Sequence, residues 1–192
     1  MNKIIMIAAS ILCSYFSMAQ TLSNGEYFIK VNRTGKYLAI AGASKDNGAR
    51  LVQWDNEYST HFRFILTHLG NGIYTLKAKQ SGKYISTEGA ATQGAKLIQW
   101  DWQNQDNQKW YIRAHAGGRG YLLICVQNNM KTIMQNWGAT TDQPKNGSYL
   151  FLSNALPQDM ILDFKKNETS AIESSKKPNS EKLIIKTKKR VN

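Results

Sequence analysis

Cysteine is nearly absent from this sequence of 192 residues, which contains only two. Cys13 lies in an apolar N-terminal run, and Cys125 lies in a strand-like apolar segment, residues 121–126. An unpaired cysteine in an apolar segment behaves as a small hydrophobic residue. This excludes a disulfide framework, so the fold must depend on a hydrophobic core, for which the chain is long enough.

Long hydrophobic runs are also missing, apart from one at the N-terminus that covers residues 4–16. Lys3 precedes this run, and the small-residue sequence Ser-Met-Ala at 17–19 follows it. The pattern predicts a secretory signal peptide over residues 1–19. The run is well short of the roughly 20 residues that cross a bilayer, so we expect no transmembrane segment. We expect a secreted protein, extracellular or, in a bacterium, periplasmic or on the cell surface.

Acidic residues are few, with 13 Asp and Glu against 25 Lys and Arg. Residues 165–192 hold nine basic and three acidic residues, whereas residues 20–164 hold fifteen and ten. Half of the positive charge is therefore in the tail, and the rest of the chain lacks the concentrated basic face that nucleic-acid binding requires. We expect no nucleic-acid partner.

The composition of residues 165–192, rich in lysine, serine and glutamate without apolar periodicity, predicts a disordered basic tail. A solvated tail is the simpler interpretation. The alternatives are contact with anionic surfaces and a sorting signal.

The segment 20–164 repeats itself at an interval of 46 or 47 residues. Gly-Lys-Tyr occurs at 35–37 and 82–84, and Gln-Trp-Asp occurs at 53–55 and 99–101. A fixed period of this length indicates a repeat architecture. Short runs of aromatic and β-branched residues between glycine and asparagine turns predict four strands per repeat and exclude helical repeats.

Three such units predict an all-β fold in which they share one core around a pseudo-threefold axis. A hairpin-rich unit cannot bury its apolar face alone, and closing the sheet into a barrel removes its exposed edges. We expect one large core side chain from each repeat, namely Phe62, Trp110 and Met160. We also expect the protein to be a monomer.

The chain from about residue 24 to residue 164 resembles the ricin-type β-trefoil lectins, which carry a Gln-x-Trp motif. The residues that carry the resemblance are Gly-Lys-Tyr-Ile at 82–85, the segment 94–101 and Asn-Gln-Lys-Trp at 107–110. The resemblance implies a β-trefoil of three four-stranded repeats. It also implies carbohydrate binding in shallow pockets, one per repeat, without a cofactor or a metal.

In that family an aromatic ring stacks on the sugar, while an Asp on the second strand of the repeat and the Asn before Gln-x-Trp bind the hydroxyl groups. Sugars present an apolar face and a polar rim, which suit a flat ring and planar amides. The position of the expected Asp falls near Ala39, Ser86 and Met134, none of which is acidic, so Ser86 and Glu88 are the candidate substitutes. The implied binding residues are Trp54, Gln53, Asp55, Ser86, Glu88, Trp100, Asp101, Trp102, Asn107 and Gln108.

The second repeat ranks first as a site, the first repeat ranks second, and the third is interpreted as structural. In the third repeat, Asn136 and Trp137 remain as loop residues with another possible use. For Trp54 and Trp100 the alternative is packing at the rim of the barrel. For Asp55 and Asp101 it is the bracing of loops.

Two other classes of function compete with carbohydrate binding. Glycoside hydrolysis needs two carboxyl groups that face each other across a cleft, but Asp101 and Asp106 lie in one short loop. His61, His68 and His115 lie in unrelated contexts, without the pairing of a metal site. We therefore expect no enzyme activity. A trefoil that binds a protein partner remains the alternative, because a fold does not fix a function.

Overall fold

The computed structural model describes residues 21–55, 58–127, 145–153 and 160–168 with their side chains, and residues 133–136 through the backbone alone. The predicted signal peptide lies outside the described residues, and so does the predicted tail beyond residue 168. Among the described residues there is no helix long and apolar enough to span a membrane.

The described residues form twelve short strands, which confirms four strands for each of the three repeats. Three single-turn 3₁₀ helices lie between them, at Ala41–Ala43, Thr60–Phe62 and Asp106–Gln108. The strands are β1 Gly25–Val31, β2 Tyr37–Ile40, β3 Leu51–Trp54, β4 Arg63–Gly70, β5 Ile73–Ala78, β6 Tyr84–Thr87, β7 Leu97–Trp100, β8 Trp110–Ala114, β9 Tyr121–Cys125, β10 Ile133–Asn136, β11 Ser148–Ser153 and β12 Leu162–Lys166.

Six of the strands close into an antiparallel barrel. Going round the barrel, β1 pairs with β4, β4 with β5, β5 with β8, β8 with β9, β9 with β12, and β12 again with β1. The other six strands form three hairpins, β2–β3, β6–β7 and β10–β11, one in each repeat. The predicted closed barrel is therefore present, and with it the β-trefoil fold.

The three hairpins meet one another in a layer that we call the hairpin cap. β11 pairs with β3 through Tyr149 and Val52, and single bridges join Arg50 to Ile98 and Lys96 to Phe151. These contacts run from the third repeat to the first, from the first to the second, and from the second to the third. The cap therefore has the predicted threefold arrangement. Its inward residues Leu51, Leu97 and Leu150 are fully buried in the same core as the barrel residues.

The barrel register identifies the equivalent large core residues. In each repeat a tyrosine within the first three residues of the first barrel strand pairs with one such residue. Phe64, Trp110 and Leu162 are fully buried in the shared core, and Trp110 Nε1 donates to the Ile85 carbonyl oxygen at 3.0 Å. The pairs are Tyr27 with Phe64, Tyr74 with Trp110, and Tyr121 with Leu162.

The prediction that Phe62 and Met160 are the equivalents of Trp110 is therefore wrong by two positions. The 3₁₀ helices Thr60–Phe62 and Asp106–Gln108 end at matching positions, so Phe62 corresponds to Gln108. Phe62 is fully buried, but it packs in a smaller cluster outside the barrel core. The prediction misaligned the first repeat because the motif has lost its Gln and Trp there, although Trp54 and Phe64 are as far apart in the sequence as Trp100 and Trp110.

Cys125 is fully buried in the core, as its apolar segment predicts. Its surroundings penalise the charged thiolate, so burial raises the pKa of the Cys125 thiol to about 11. This confirms its role as a small hydrophobic residue.

The last strand joins the C-terminal end of the fold to its beginning. β12 runs to Lys166, which lies opposite Tyr27, so the barrel extends two residues beyond the predicted boundary at Phe164. Next to this pairing, Asn167 donates its backbone N–H to the Glu26 carbonyl oxygen at 2.7 Å.

The Glu26 side chain, which is 4% exposed, accepts three cross-strand contacts. Its Oε1 lies 2.8 Å from Asn167 Nδ2 and 3.2 Å from the Arg63 guanidinium, and its Oε2 lies 3.0 Å from Lys79 Nζ. Burial raises the pKa of Glu26, but the hydrogen bonds from Asn167, Lys79 and Arg63 and the charge of Lys79 together outweigh it, so the net pKa lies below its ordinary value of 4.5. The ionised form is therefore favoured in the folded state, and Glu26 fastens the seam between β1, β4 and the chain end.

We expect Glu26→Gln to lower the free energy of unfolding by about 1–3 kcal/mol near neutral pH, because it leaves Arg63 and Lys79 without their counter-charge. A carboxyl group whose pKa is lowered by folding stabilises the protein above its ordinary pKa of 4.5, and this contribution is lost as the pH falls through the lower folded value. Urea unfolding at about pH 7 and about pH 3 should therefore show the wild type and the variant converging at the lower pH.

Glu88→Gln is the matched control, since Glu88 forms an exposed pair with Lys96. It should change the stability little at either pH. A loss for Glu26→Gln that stays the same at both pH values would contradict the assigned role.

Candidate functional site

The two predicted stacking residues occupy equivalent positions at the rim of the hairpin cap. Trp54 ends β3 opposite Tyr37, and Trp100 ends β7 opposite Tyr84. Their side chains are 38% and 36% exposed. The third repeat has Ser153 in this position, opposite Ile133.

Each indole ring packs against a glycine from the neighbouring repeat. A Cβ atom built on Gly48 would lie 3.8 Å from Trp100 Cζ3, and one built on Gly147 would lie 3.3 Å from Trp54 Cζ3. Part of each ring therefore lies against the neighbouring backbone, while part remains open to solvent. Rim packing and an accessible aromatic surface are both present, so the two interpretations of these tryptophans do not exclude each other.

The glycines themselves form a matched series. Gly48, Gly94 and Gly147 have φ angles of +85°, +83° and +86°, but a Cβ on Gly94 would meet nothing within 4 Å. We expect alanine at each position to cost about 1–2 kcal/mol of stability from backbone strain. Gly147→Ala should cost more than the other two, because the new methyl group must displace Trp54.

Denaturant unfolding measures the three costs, and tryptophan emission reports the ring displacement. Gly48→Ala and Gly94→Ala are the controls for backbone strain and should leave the emission unchanged. Equal costs and equal spectra for all three variants would show that the contact between Trp54 and Gly147 does not matter.

The two predicted aspartates tie neighbouring repeats together. Each carboxylate accepts a hydrogen bond from a lysine of its own repeat and from an asparagine of a neighbouring repeat, and the hydrogen bond from lysine is the main cause that lowers the pKa of both Asp55 and Asp101. Each aspartate also donates its backbone N–H to the same asparagine. This favours the loop-bracing interpretation. The contacts are Asp55 with Lys36 at 2.9 Å and Asn146 at 2.9 Å, and Asp101 with Lys83 at 2.5 Å and Asn47 at 2.7 Å.

The glutamines among the predicted binding residues are internal braces. Gln53 is fully buried, and its Oε1 accepts from Thr34 Oγ1 at 2.8 Å. Gln108 is 1% exposed, donates to the Asp101 carbonyl oxygen at 2.8 Å and accepts from the Gln103 backbone N–H at 2.8 Å. Both amides are buried and hydrogen-bonded within the protein, which favours structural roles; their contacts with a sugar stay predictions.

The second repeat contains an open depression of about 570 Å³ beside Trp100. Four predicted residues line it, namely Ser86, Glu88, Trp100 and Asn107, together with polar residues that the sequence analysis did not select: Thr87, Gln103, Gln105 and Gln127. Trp102 is not in its lining; this residue is 40% exposed and packs on Tyr84, with ring centroids 4.7 Å apart.

Asn107 has unused hydrogen-bonding capacity at this depression. Its Nδ2 makes only long contacts of 3.5 Å to the carbonyl oxygens of Thr87 and Gly89, and its Oδ1 has no partner among the described residues. Ser86 donates to the Thr87 carbonyl oxygen at 3.1 Å, and Glu88 pairs with Lys96 at 3.1 Å. Polar groups of three kinds, an amide, a hydroxyl and a carboxylate, therefore line the same depression as the indole ring of Trp100.

The first repeat has a smaller depression of about 200 Å³ beside Trp54. Ala39 and Val52 line it where Ser86 and Ile98 lie in the second repeat, and His61 takes the place of Asn107. His61 Nδ1 lies 2.8 Å from Ser59 Oγ. His61 was not among the predicted residues, because the motif of the first repeat was placed two positions early; the match of Phe-Arg-Phe at 62–64 with Gln-Lys-Trp at 108–110 identifies it.

In the third repeat the position of the expected Asp belongs to Gln135 rather than Met134. Gln135 lies opposite Phe151, as Ser86 lies opposite Ile98. The prediction was one residue off because the connection between β9 and β10 is longer than the equivalent connections between β1 and β2 and between β5 and β6. Asn136 ends β10, and Trp137 lies outside the described residues.

The carboxylates weighed for catalysis both have lysine partners. Asp101 pairs with Lys83, and Asp106 Oδ1 lies 3.0 Å from Lys109 Nζ. Over the part of the chain that the structure describes, no group of three or more metal-binding side chains occurs.

Comparison with protein families gives one match. The model of the ricin-type beta-trefoil lectin domain-like family matches residues 13–100 and 58–149, which is well over half of the chain. A search of curated protein sequences gave no match.

Among solved structures, a designed 3-fold symmetric protein, ThreeFoil, is 25% identical with a TM-score of 0.67; the match covers 74% of this chain and 99% of that one. The Macrolepiota procera ricin B-like lectin in complex with lactose is 16% identical with a TM-score of 0.63, covering 77% and 99%. An exo-beta-1,3-galactanase from Clostridium thermocellum is 20% identical with a TM-score of 0.64, covering 76% of this chain but only 30% of the enzyme. The last two likenesses concern the fold alone.

Proposed function

Because the chain belongs to the ricin-type β-trefoil lectin domain-like family, we propose that it is a carbohydrate-binding protein whose main site is the depression of the second repeat. The observation that supports this best is the position of Trp100, whose partly exposed indole ring forms one wall of a depression lined by Asn107, Ser86 and Glu88. An apolar ring face beside a set of polar groups is the surface that a sugar complements.

Each residue has a distinct part in this proposal. The ring of Trp100 packs on the C–H face of a sugar, and Gly48, which packs against the edge of the ring, helps to keep it in position. The exposed Glu88 carboxylate accepts from a hydroxyl group in place of the missing Asp, and the Asn107 amide, whose buried Oδ1 has no partner among the described residues, accepts a second one when its side chain turns toward the depression. The depression is open to solvent, so binding at one site should be weak, and a second site would raise the avidity.

The first repeat is the proposed second site. Trp54 repeats the position of Trp100, and His61 can donate or accept a hydrogen bond where Asn107 stands in the second repeat. Its depression is smaller and its Ala39 offers no polar group, so we rank it below the second repeat.

We infer binding rather than catalysis. Asp101 and Asp106, the carboxylates weighed for a hydrolytic pair, are each held by a lysine and lie outside the lining of the depression. The Clostridium enzyme is matched over 30% of its length, so its activity is not ascribed to this chain. The Macrolepiota lectin was solved with lactose, which makes galactosides a natural first part of a sugar panel.

We expect a titration with mono- and disaccharides, lactose included, to give a saturable change in tryptophan fluorescence with a Kd on the order of 1 mM. Trp100→Ala should remove most of the binding. Trp102→Ala is the matched control, because Trp102 is as exposed as Trp100 but lies outside the depression. It should keep the affinity of the wild type.

Two results would contradict the proposal. No response to any sugar of the panel, together with the specific capture of a protein partner, would favour an interaction module. Release of reducing sugar from a polysaccharide would favour an enzyme.

We also propose that the protein is exported and that its signal peptide is removed before Gln20. Lys3, the apolar run at 4–16 and the small residues at 17–19 support this. The expected result is a mature N-terminus at Gln20, determined by N-terminal sequencing of protein from the culture medium. Protein found only inside the cells, with Met1 retained, would contradict it.

A further inference from the structure

The centre of the hairpin cap is a charged surface that the proposed sugar site does not use. Arg50, Lys96 and Tyr149 occupy equivalent positions there, one in each repeat, at the points where the three hairpins meet. Equivalent residues of a threefold arrangement surround its axis, and two of these three residues are in direct contact. The Arg50 guanidinium lies over the Tyr149 ring, 4.5 Å from its centroid.

The positive charge at this centre is not balanced. Among the described residues, no carboxylate lies within ion-pair distance of Arg50. Lys96 Nζ lies 3.1 Å from Glu88 Oε2, but the two side chains are 41% and 56% exposed, so water weakens the pair. A guanidinium that a ring holds in one orientation is well suited to a planar or tetrahedral anion.

A small depression of about 140 Å³ adjoins the cluster. It is lined by Gly94, Lys96, Tyr149 and Phe151. Gly94 has no side chain to fill it, and a Cβ there would meet nothing within 4 Å. Its size suits one carboxylate or sulfate group better than a whole sugar ring.

Glu88 connects this cluster to the sugar site, because it lines the depression beside Trp100 and also pairs with Lys96. We propose that the centre of the cap binds the anionic group of an acidic glycan whose neutral part lies on Trp100. This rests on the proposed function and names its ligand class, a glycan that carries a carboxylate or a sulfate group. The anion would replace Glu88 as the partner of Lys96.

Inorganic sulfate and acetate test the anion site without any sugar. Titration of the full chain, followed by NMR, should shift resonances of Arg50, Lys96 and Gly94. Arg50→Gln should remove these shifts. Arg113→Gln is the matched control, because Arg113 lies 4.8 Å over the Tyr111 ring on barrel strand β8 and its loss changes the net charge equally. It should leave the shifts in place.

Digalacturonate and its methyl ester test the recognition of an acidic glycan, since the ester keeps the sugar rings and replaces the charged carboxylates with neutral methyl ester groups. We expect the acid to bind about three- to tenfold more tightly at low salt, with the advantage lost in Arg50→Gln and in Lys96→Gln. Glu88→Gln should increase the preference for the acid, because it frees Lys96 and removes a negative charge. A variant that merely damaged the fold would not give this gain. A sulfated disaccharide in parallel identifies which of the two anions is preferred.

Equal affinity for the acid and its ester would overturn the proposal. An equal loss of affinity for the acid in Arg50→Gln and Arg113→Gln would overturn it as well, because the binding would then depend on the net charge of the protein alone. Failure of the proposed function looks different. In that case neither digalacturonate nor its ester would bind and Trp100→Ala would have no effect, while the sulfate shifts around Arg50 would remain.

Discussion

The pairing of the first strand with the last is the contact on which the rest of the molecule depends. A unit of four short strands leaves one apolar face exposed, and only closure of the ring covers the faces of all three units at once. The seam between β1 and β12 completes that ring, with Leu162 and Phe164 on one strand and Tyr27 and Ile29 on the other inside a common core. The buried carboxylate of Glu26, held by Arg63, Lys79 and Asn167, fixes the same seam by charge.

Closure of the barrel also explains why each proposed site contains residues from two neighbouring repeats. The ring of Trp100 comes from the second repeat, but Gly48, against which it packs, belongs to the first, and Asn47 of the first repeat holds Asp101, the residue after Trp100. The third repeat gives Trp54 the same support through Gly147. A single repeat could therefore carry the side chains of a site without the wall against which the ring packs. The shared core and the open site depend on the same contacts between neighbouring units.

The sequence allowed the repeat count, the strand-rich class and the β-trefoil to be predicted, because spacing and hydrophobic pattern survive divergence. It also pointed to Trp100, Asn107, Ser86 and Glu88, which the structure brings together. Prediction from the sequence failed where a repeat had lost the characteristic residues of the motif. Phe-Arg-Phe at 62–64 was aligned two residues early, so Phe64 and His61 were missed. The role of Gln53 depends on Thr34 in a distant turn, whereas Gln108 binds backbone groups of its own loop, and no local pattern shows which side of a loop an amide faces.

One substitution accounts for much of the difference between the first two sites. In the second repeat Gln108 bridges the Asp101 carbonyl and the Gln103 N–H, and so holds a polar loop whose Gln103 and Gln105 line the larger depression. The first repeat has Phe62 in its place, packed with Ala39 and Val52 beneath a smaller and more apolar depression. Exchanging an internal amide for an aromatic ring keeps the barrel intact, since both are fully buried, but it removes the brace for a polar loop. A β-trefoil can thus lose or change a site in one repeat without loss of its fold, which is how three copies of one unit come to present three different surfaces.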